Sequence, residues 1–74
     1  MTKREFLHFL AEESHKGAVR FSIGFTTKGQ VVMYWTTENG IRAWRVLSSN
    51  RGKRPTEASR KKAQDFKRWL KELA

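Results

Sequence analysis

The chain has 74 residues, the length of one small domain, and it contains no cysteine, which excludes a disulfide scaffold and cysteine-ligated zinc. Sixteen Lys and Arg residues against seven Asp and Glu residues give a net charge of +9, which favours nucleic acid, an anionic membrane or an acidic protein surface as partner. No apolar run reaches the roughly 20 residues of a membrane-spanning helix, and the composition fits a cytoplasmic protein.

The first segment predicts an amphipathic helix from about residue 3 to residue 14. Thr2 and Glu5 have the spacing of a capping box, in which each side chain can bond the backbone N–H of the other residue. Gly17 is suited to the left-handed backbone conformation of the residue that ends a helix. The apolar stripe of this helix, expected to pack on a sheet, consists of Phe6, Phe9 and Leu10.

The segment from Ala18 to Leu47 predicts three short antiparallel strands joined by two tight turns. Asn39-Gly40 is the preferred centre of a two-residue type I′ turn, because both central residues of that turn need positive φ. Centring the second turn there pairs Trp35 with Trp44 and Tyr34 with Arg45.

The first turn fits a three-residue loop, Thr27-Lys28-Gly29, with Gly29 in the left-handed position of a G1 bulge. This loop pairs Phe25 with Val31 and Ile23 with Met33. A two-residue loop at Lys28-Gly29 is the alternative, and it would slip the pairing by one residue and leave large apolar side chains on both faces.

With the three-residue loop, one face of the sheet is almost wholly apolar and is the expected core. That face collects Val19, Phe21, Ile23, Phe25, Val31, Met33, Trp35, Trp44 and Val46. The opposite face collects Ala18, Arg20, Ser22, Gly24, Val32, Tyr34, Thr36, Ala43, Arg45 and Leu47. We expect all three tryptophans, the third being Trp69, to be core residues.

A polar loop from Ser48 to Pro55 follows, with three bases and no acid. Thr56 is the expected N-cap of a second helix from about residue 57 to residue 73, with Ser59 where a capping-box glutamate would stand. The apolar stripe of this helix consists of Ala63, Phe66, Trp69, Leu70 and Leu73.

These elements predict an α+β fold for a single domain of residues 1–74, in the order α-β-β-β-α. The three strands form an antiparallel meander, and both helices pack on one face of it. Three antiparallel strands followed by a helix, over roughly residues 18–73, resemble the sheet-reading DNA-binding domains of some phage and transposon integrases and are similar to plant AP2-type domains. The resemblance rests on element order and implies DNA binding through the sheet.

Nucleic-acid binding is the function that the sequence favours, without catalysis and without a metal or other cofactor. Residues 16–54 carry eight bases and one acid, a net charge of +7. The expected interface is the sheet face that bears Arg20, Tyr34 and Arg45, with duplex DNA preferred over RNA. The remaining expected contacts are Ser22, Thr36, Lys28, Arg51, Lys53 and Arg54.

Two other modes of binding stay open at this stage. Unpaired bases could stack on Tyr34 and on an exposed tryptophan. A small basic protein of this kind could also bind and inhibit, or redirect, a larger nucleic-acid-processing complex, because an acidic protein surface attracts the same positive charge. The sequence does not determine the oligomeric state.

Overall fold

The computed structural model of the chain describes residues 1–49 and 54–73 and has the expected α-β-β-β-α order. Helix α1 spans Lys3–His15, the strands are β1 (Val19–Phe25), β2 (Val31–Thr36) and β3 (Arg42–Ser48), and helix α2 spans Glu57–Glu72. The strands form one antiparallel sheet in the order β1-β2-β3. Neither of the two helices is long and apolar enough to cross a bilayer within the described ranges.

Both ends of α1 are capped as the sequence predicts. The N–H of Glu5 donates to Thr2 Oγ1, and the N–H of Thr2 donates to Glu5 Oε1, each over 3.2 Å. Hydrogen bonding to the Glu5 carboxylate, from the Thr2 backbone N–H first and the Thr2 side chain second, lowers the pKa of that carboxyl. At the other end Gly17 has φ +95°, and the N–H of Ala18 donates to the Glu13 carbonyl over 3.0 Å, which is a Schellman ending.

Ser59 completes a capping box at the start of α2, in the place where a glutamate was missing. The N–H of Thr56 donates to Ser59 Oγ over 2.8 Å, and the N–H of Ser59 donates to Thr56 Oγ1 over 3.2 Å. Ser59 is buried, and its hydroxyl also donates to the Thr56 carbonyl. The short serine side chain therefore provides the hydrogen bonds that the backbone needs at this end of the helix.

The first hairpin has the predicted three-residue loop. The N–H of Thr26 donates to the Gln30 carbonyl over 3.0 Å, and Gly29 has φ +82°. Phe25 accordingly pairs with Val31. The slipped two-residue alternative is therefore wrong.

The predicted type I′ turn of the second hairpin is also wrong. The N–H of Thr37 donates to the Ile41 carbonyl over 2.8 Å, so the loop between them has three residues. Gly40 has φ +78°, whereas among the described non-glycine residues only Arg20 has positive φ, so Asn39 does not have the conformation that type I′ demands. The second turn is thus a G1-bulge loop like the first.

One extra loop residue shifts β3 by one position against β2. Tyr34 pairs with Trp44, and Met33 pairs with Arg45. Because side chains alternate between faces, the shift turns every residue of this part of β3 to the other side. Trp44 and Val46, expected in the core, lie on the opposite face of the sheet, and Leu47 is buried in the core instead.

A β-bulge at Arg20 reverses the faces at the start of β1. The pairing with β2 is interrupted between Val19 and Ser22, and Arg20 has φ +60°. The bulge inserts one residue, so the alternation before it is inverted. Ala18 is therefore buried in the core and Val19 is exposed, the opposite of their predicted faces.

Both helices pack on the same side of the sheet, as predicted, and aromatic rings form much of the contact. The Phe6 ring lies 5.0 Å from that of Phe66, and Phe9 meets Trp35 edge-on with centroids 5.5 Å apart. Trp69 is half-buried beside them. The buried cluster consists of Phe6, Phe9, Leu10, Ala18, Val31, Met33, Trp35, Leu47, Ala63 and Phe66.

Truncating the two strand tryptophans should affect stability very differently. Trp35 is 8% exposed, and Trp44 is 64% exposed. We expect Trp35→Ala to lower the free energy of unfolding by about 3–5 kcal/mol because it opens a cavity in the core. Trp44→Ala should cost less than about 1 kcal/mol, since only cross-strand contact is lost. Urea denaturation measures both, and equal losses would contradict the register.

Alanine at each central position of the second turn tests its type. Gly40→Ala should cost about 1–2 kcal/mol, because the alanine must adopt positive φ although its Cβ would meet no atom within 4 Å. Asn39→Ala should change the free energy of unfolding by less than about 0.5 kcal/mol. A type I′ turn would instead make both substitutions costly, and thermal denaturation distinguishes the two cases.

Candidate nucleic-acid interface

One face of the sheet is opposite the two helices and their buried cluster, and we call it the open face. Strand pairing places side chains from all three strands on it, including an arginine and no acid. Its members are Val19, Ser22, Gly24, Val32, Tyr34, Thr36, Arg42, Trp44 and Val46.

Tyr34 lies at the centre of the open face, on the middle strand. The Arg42 guanidinium carbon is 5.6 Å from the centroid of the Tyr34 ring, within the range of a cation–π contact. On the other side, a Cβ added at Gly24 would lie 3.3 Å from Tyr34 Cε2, so the missing side chain of Gly24 gives the ring room to lie along β1. Tyr34 is thus held between an arginine and a bare stretch of backbone.

Trp44 is the most exposed aromatic residue of the described chain and lies directly across from Tyr34. Next to it, Val46 lies opposite Val32. Val32 is only 1% exposed, although no helix covers this face, so the neighbouring side chains of the open face bury it. The open face therefore has a small apolar base of its own, with an indole projecting from it.

Arg45, predicted to share this face with Tyr34, lies on the helix side. Its guanidinium carbon is 4.6 Å from the centroid of the Phe9 ring of α1. Arg45 is still exposed at the margin of the core, so its charge reaches water while its stem covers apolar surface. Arg42 replaces it as the arginine of the open face.

The other predicted site residues fall in different places. Ser22 and Thr36 lie on the open face, as expected. Arg20 is exposed in the bulge of β1, Lys28 is exposed in the β1–β2 loop, and Arg54 is exposed ahead of α2. Arg51 and Lys53, in the predicted basic loop, lie outside the described residues.

A repeated sequence pattern could have revealed Arg42 and Trp44. Thr26 and Thr37 each precede a glycine by three residues, and each threonine hydroxyl accepts the N–H of the residue four positions later, over 3.1 and 3.2 Å. The two loops therefore have the same Thr-x-x-Gly pattern and the same geometry. Asn-Gly is such a strong type I′ signal that it obscures this similarity.

The open face offers a guanidinium charge and aromatic surface for stacking. Across residues 1–49 and 54–73, no three His, Asp or Glu side chains come together as metal ligands would. An arginine fork can bind phosphate, and aromatic rings can stack on bases or pack against a protein.

Comparisons with protein-family models, with curated proteins and with solved structures give no match to this chain. The resemblance to sheet-reading DNA-binding domains therefore stays one of element order.

Proposed function

We propose that this protein is a non-enzymatic nucleic-acid-binding regulator that uses the open face as its interface. The observation that carries the proposal is the exposed Trp44 beside a Tyr34–Arg42 contact, on a sheet face that neither helix covers. Stacking surface next to a guanidinium matches the two parts of a nucleotide, its base and its phosphate.

The charge distribution supports a polyanionic partner. Residues 16–54, which include the whole sheet, hold eight bases and one acid, and that acid, Glu38, lies exposed in the β2–β3 turn. A net charge of +7 attracts phosphates over a distance of about 8–10 Å at physiological salt. Exposed Arg20 and Lys28 can then add phosphate contacts around the sheet.

The prediction of duplex DNA uses a sheet face that bears Arg20, Tyr34 and Arg45 together, with the basic loop 51–54 beside it. Arg45 lies on the helix side, so a pair of arginines on one face no longer supports that preference. We therefore propose nucleic acid as the partner class, with single-stranded and duplex forms to be compared directly.

An acidic protein groove is the second candidate partner. It is favoured by two exposed apolar side chains, Trp44 and Ile41, which are each 64% exposed and belong to the same hairpin. Tryptophan anchors with charge complementarity around them are typical of protein interfaces. Such a partner would let the protein inhibit or redirect a polymerase or nuclease complex without contacting nucleic acid.

Anisotropy of labelled oligonucleotides, titrated across a salt series, tests nucleic-acid binding. About five phosphate contacts predict a log–log salt slope near −4.5 for a duplex and near −3.5 for a single strand. Arg42→Ala should weaken binding and reduce the magnitude of the slope by about one.

Arg45→Ala is the matched control, because it removes the same charge from the same strand but from the helix side. It should weaken binding less than Arg42→Ala does. Equal effects of the two variants would reject the open face as the interface. Absence of binding near physiological salt would favour the acidic protein partner.

A further inference from the structure

An open groove of about 290 Å³ lies beside Trp44 on the open face. Its size is just below the roughly 300–1,000 Å³ of pockets that hold drug-sized ligands, so it suits one flat ring system. It is lined by Thr26, Gln30, Val32, Tyr34, Trp44 and Val46.

The two sides of this groove differ in chemistry. Trp44 and Tyr34 contribute aromatic surface, and Val32 is the buried apolar residue between the strands. An exposed indole beside aliphatic side chains provides stacking surface for a planar heterocycle. Trp44 is 64% exposed, so much of the residue is accessible to a ligand.

The opposite end of the groove is polar and already ordered. The N–H of Gln30 donates to Thr26 Oγ1 over 3.1 Å, and the Thr26 hydroxyl donates to Gln30 Oε1 over 3.4 Å. Among the hydrogen bonds of the described residues, none uses the amide nitrogen of Gln30. That nitrogen therefore has two N–H donors for the acceptor edge of a ligand.

A base inside a duplex cannot occupy this groove. Its faces are covered by the neighbouring base pairs, and only its edges and the backbone are accessible to a protein. An unpaired base exposes both its face and its hydrogen-bonding edge, which are the two features that Trp44 and Gln30 match. Arg42 lies on the far side of Tyr34, where it can bind a phosphate of the same strand.

We propose that this groove binds one unpaired nucleobase of a single-stranded nucleic acid, stacked on Trp44 with Gln30 donating to its edge. The inference rests on the proposed nucleic-acid function and specifies the form of its ligand. The positive charge of residues 16–54 supplies affinity for any strand, and the groove supplies the preference for unpaired bases.

The test compares three labelled strands of roughly 15 nucleotides at one salt concentration. These are a mixed-sequence single strand, its duplex, and a single strand of abasic sites that keeps the phosphates. The single strand should bind at least about tenfold more tightly than either of the others.

Variants test whether the groove causes the difference in affinity between the three strands. Trp44→Leu should weaken binding of the single strand by about 5- to 150-fold and leave binding of the abasic strand unchanged. Trp44→Phe should retain most of the affinity, and Gln30→Ala should lose part of it. Ile41→Ala is the control, because Ile41 is as exposed as Trp44 but does not line the groove.

The outcomes separate this inference from the proposed function. Binding of all three strands with equal affinity, unaffected by Trp44→Leu, would overturn the groove and leave nucleic-acid binding intact. Binding of none would overturn both. Sedimentation without nucleic acid tests whether the chain self-associates. Self-association that Trp44→Leu abolishes would show that a second copy of the chain occupies the groove, and it would overturn the proposal.

Discussion

The left-handed conformation of Gly40 controls which side chains of β3 lie on the open face. It closes a three-residue loop between Thr37 and Ile41, and that loop sets β3 in register with β2. Because side chains of a strand alternate with a period of two, a register different by one residue would exchange Trp44 for Arg45 on the open face. The chemistry of the candidate site thus depends on the φ angle of a residue outside it.

The buried core and the candidate site lie on opposite sides of the sheet. The core contains aromatic contacts between the two helices and β2, such as Phe6 with Phe66 and Phe9 with Trp35. A chain of this size buries only about 60% of the surface of its unfolded state, and here both helices are used to cover one face. The other face is left to the small cluster around Val32, so Trp44 can project without weakening the core.

The two arginines of β3 have different surroundings because they lie on opposite faces of the sheet. Arg45 lies over the Phe9 ring and keeps its charge in water at the margin of the core. Arg42 lies over Tyr34 on the open face, beside the groove that Trp44 and Gln30 line. Each guanidinium rests on an aromatic ring, which limits its motion, but only that of Arg42 lies where a phosphate next to a stacked base would be.

The element order, both helices with their caps, the first turn and most of each apolar stripe follow from the amino-acid sequence, because these features depend on contacts between residues close in the chain. Leu73, expected in the stripe of α2, is instead 56% exposed at the end of that helix. The faces of β3 and of the start of β1 follow less directly from the sequence. The second turn is compatible with a two-residue or a three-residue loop, and hydrophobicity favours the two-residue loop because it would bury Trp44. The fold has the three-residue loop, which buries Leu47 and places Arg45 over the Phe9 ring. Likewise, nothing local to Arg20 predicts its bulge. The choice between the two loop lengths is coupled to the packing of β3 against helices distant in sequence, and the loop that forms sets the register.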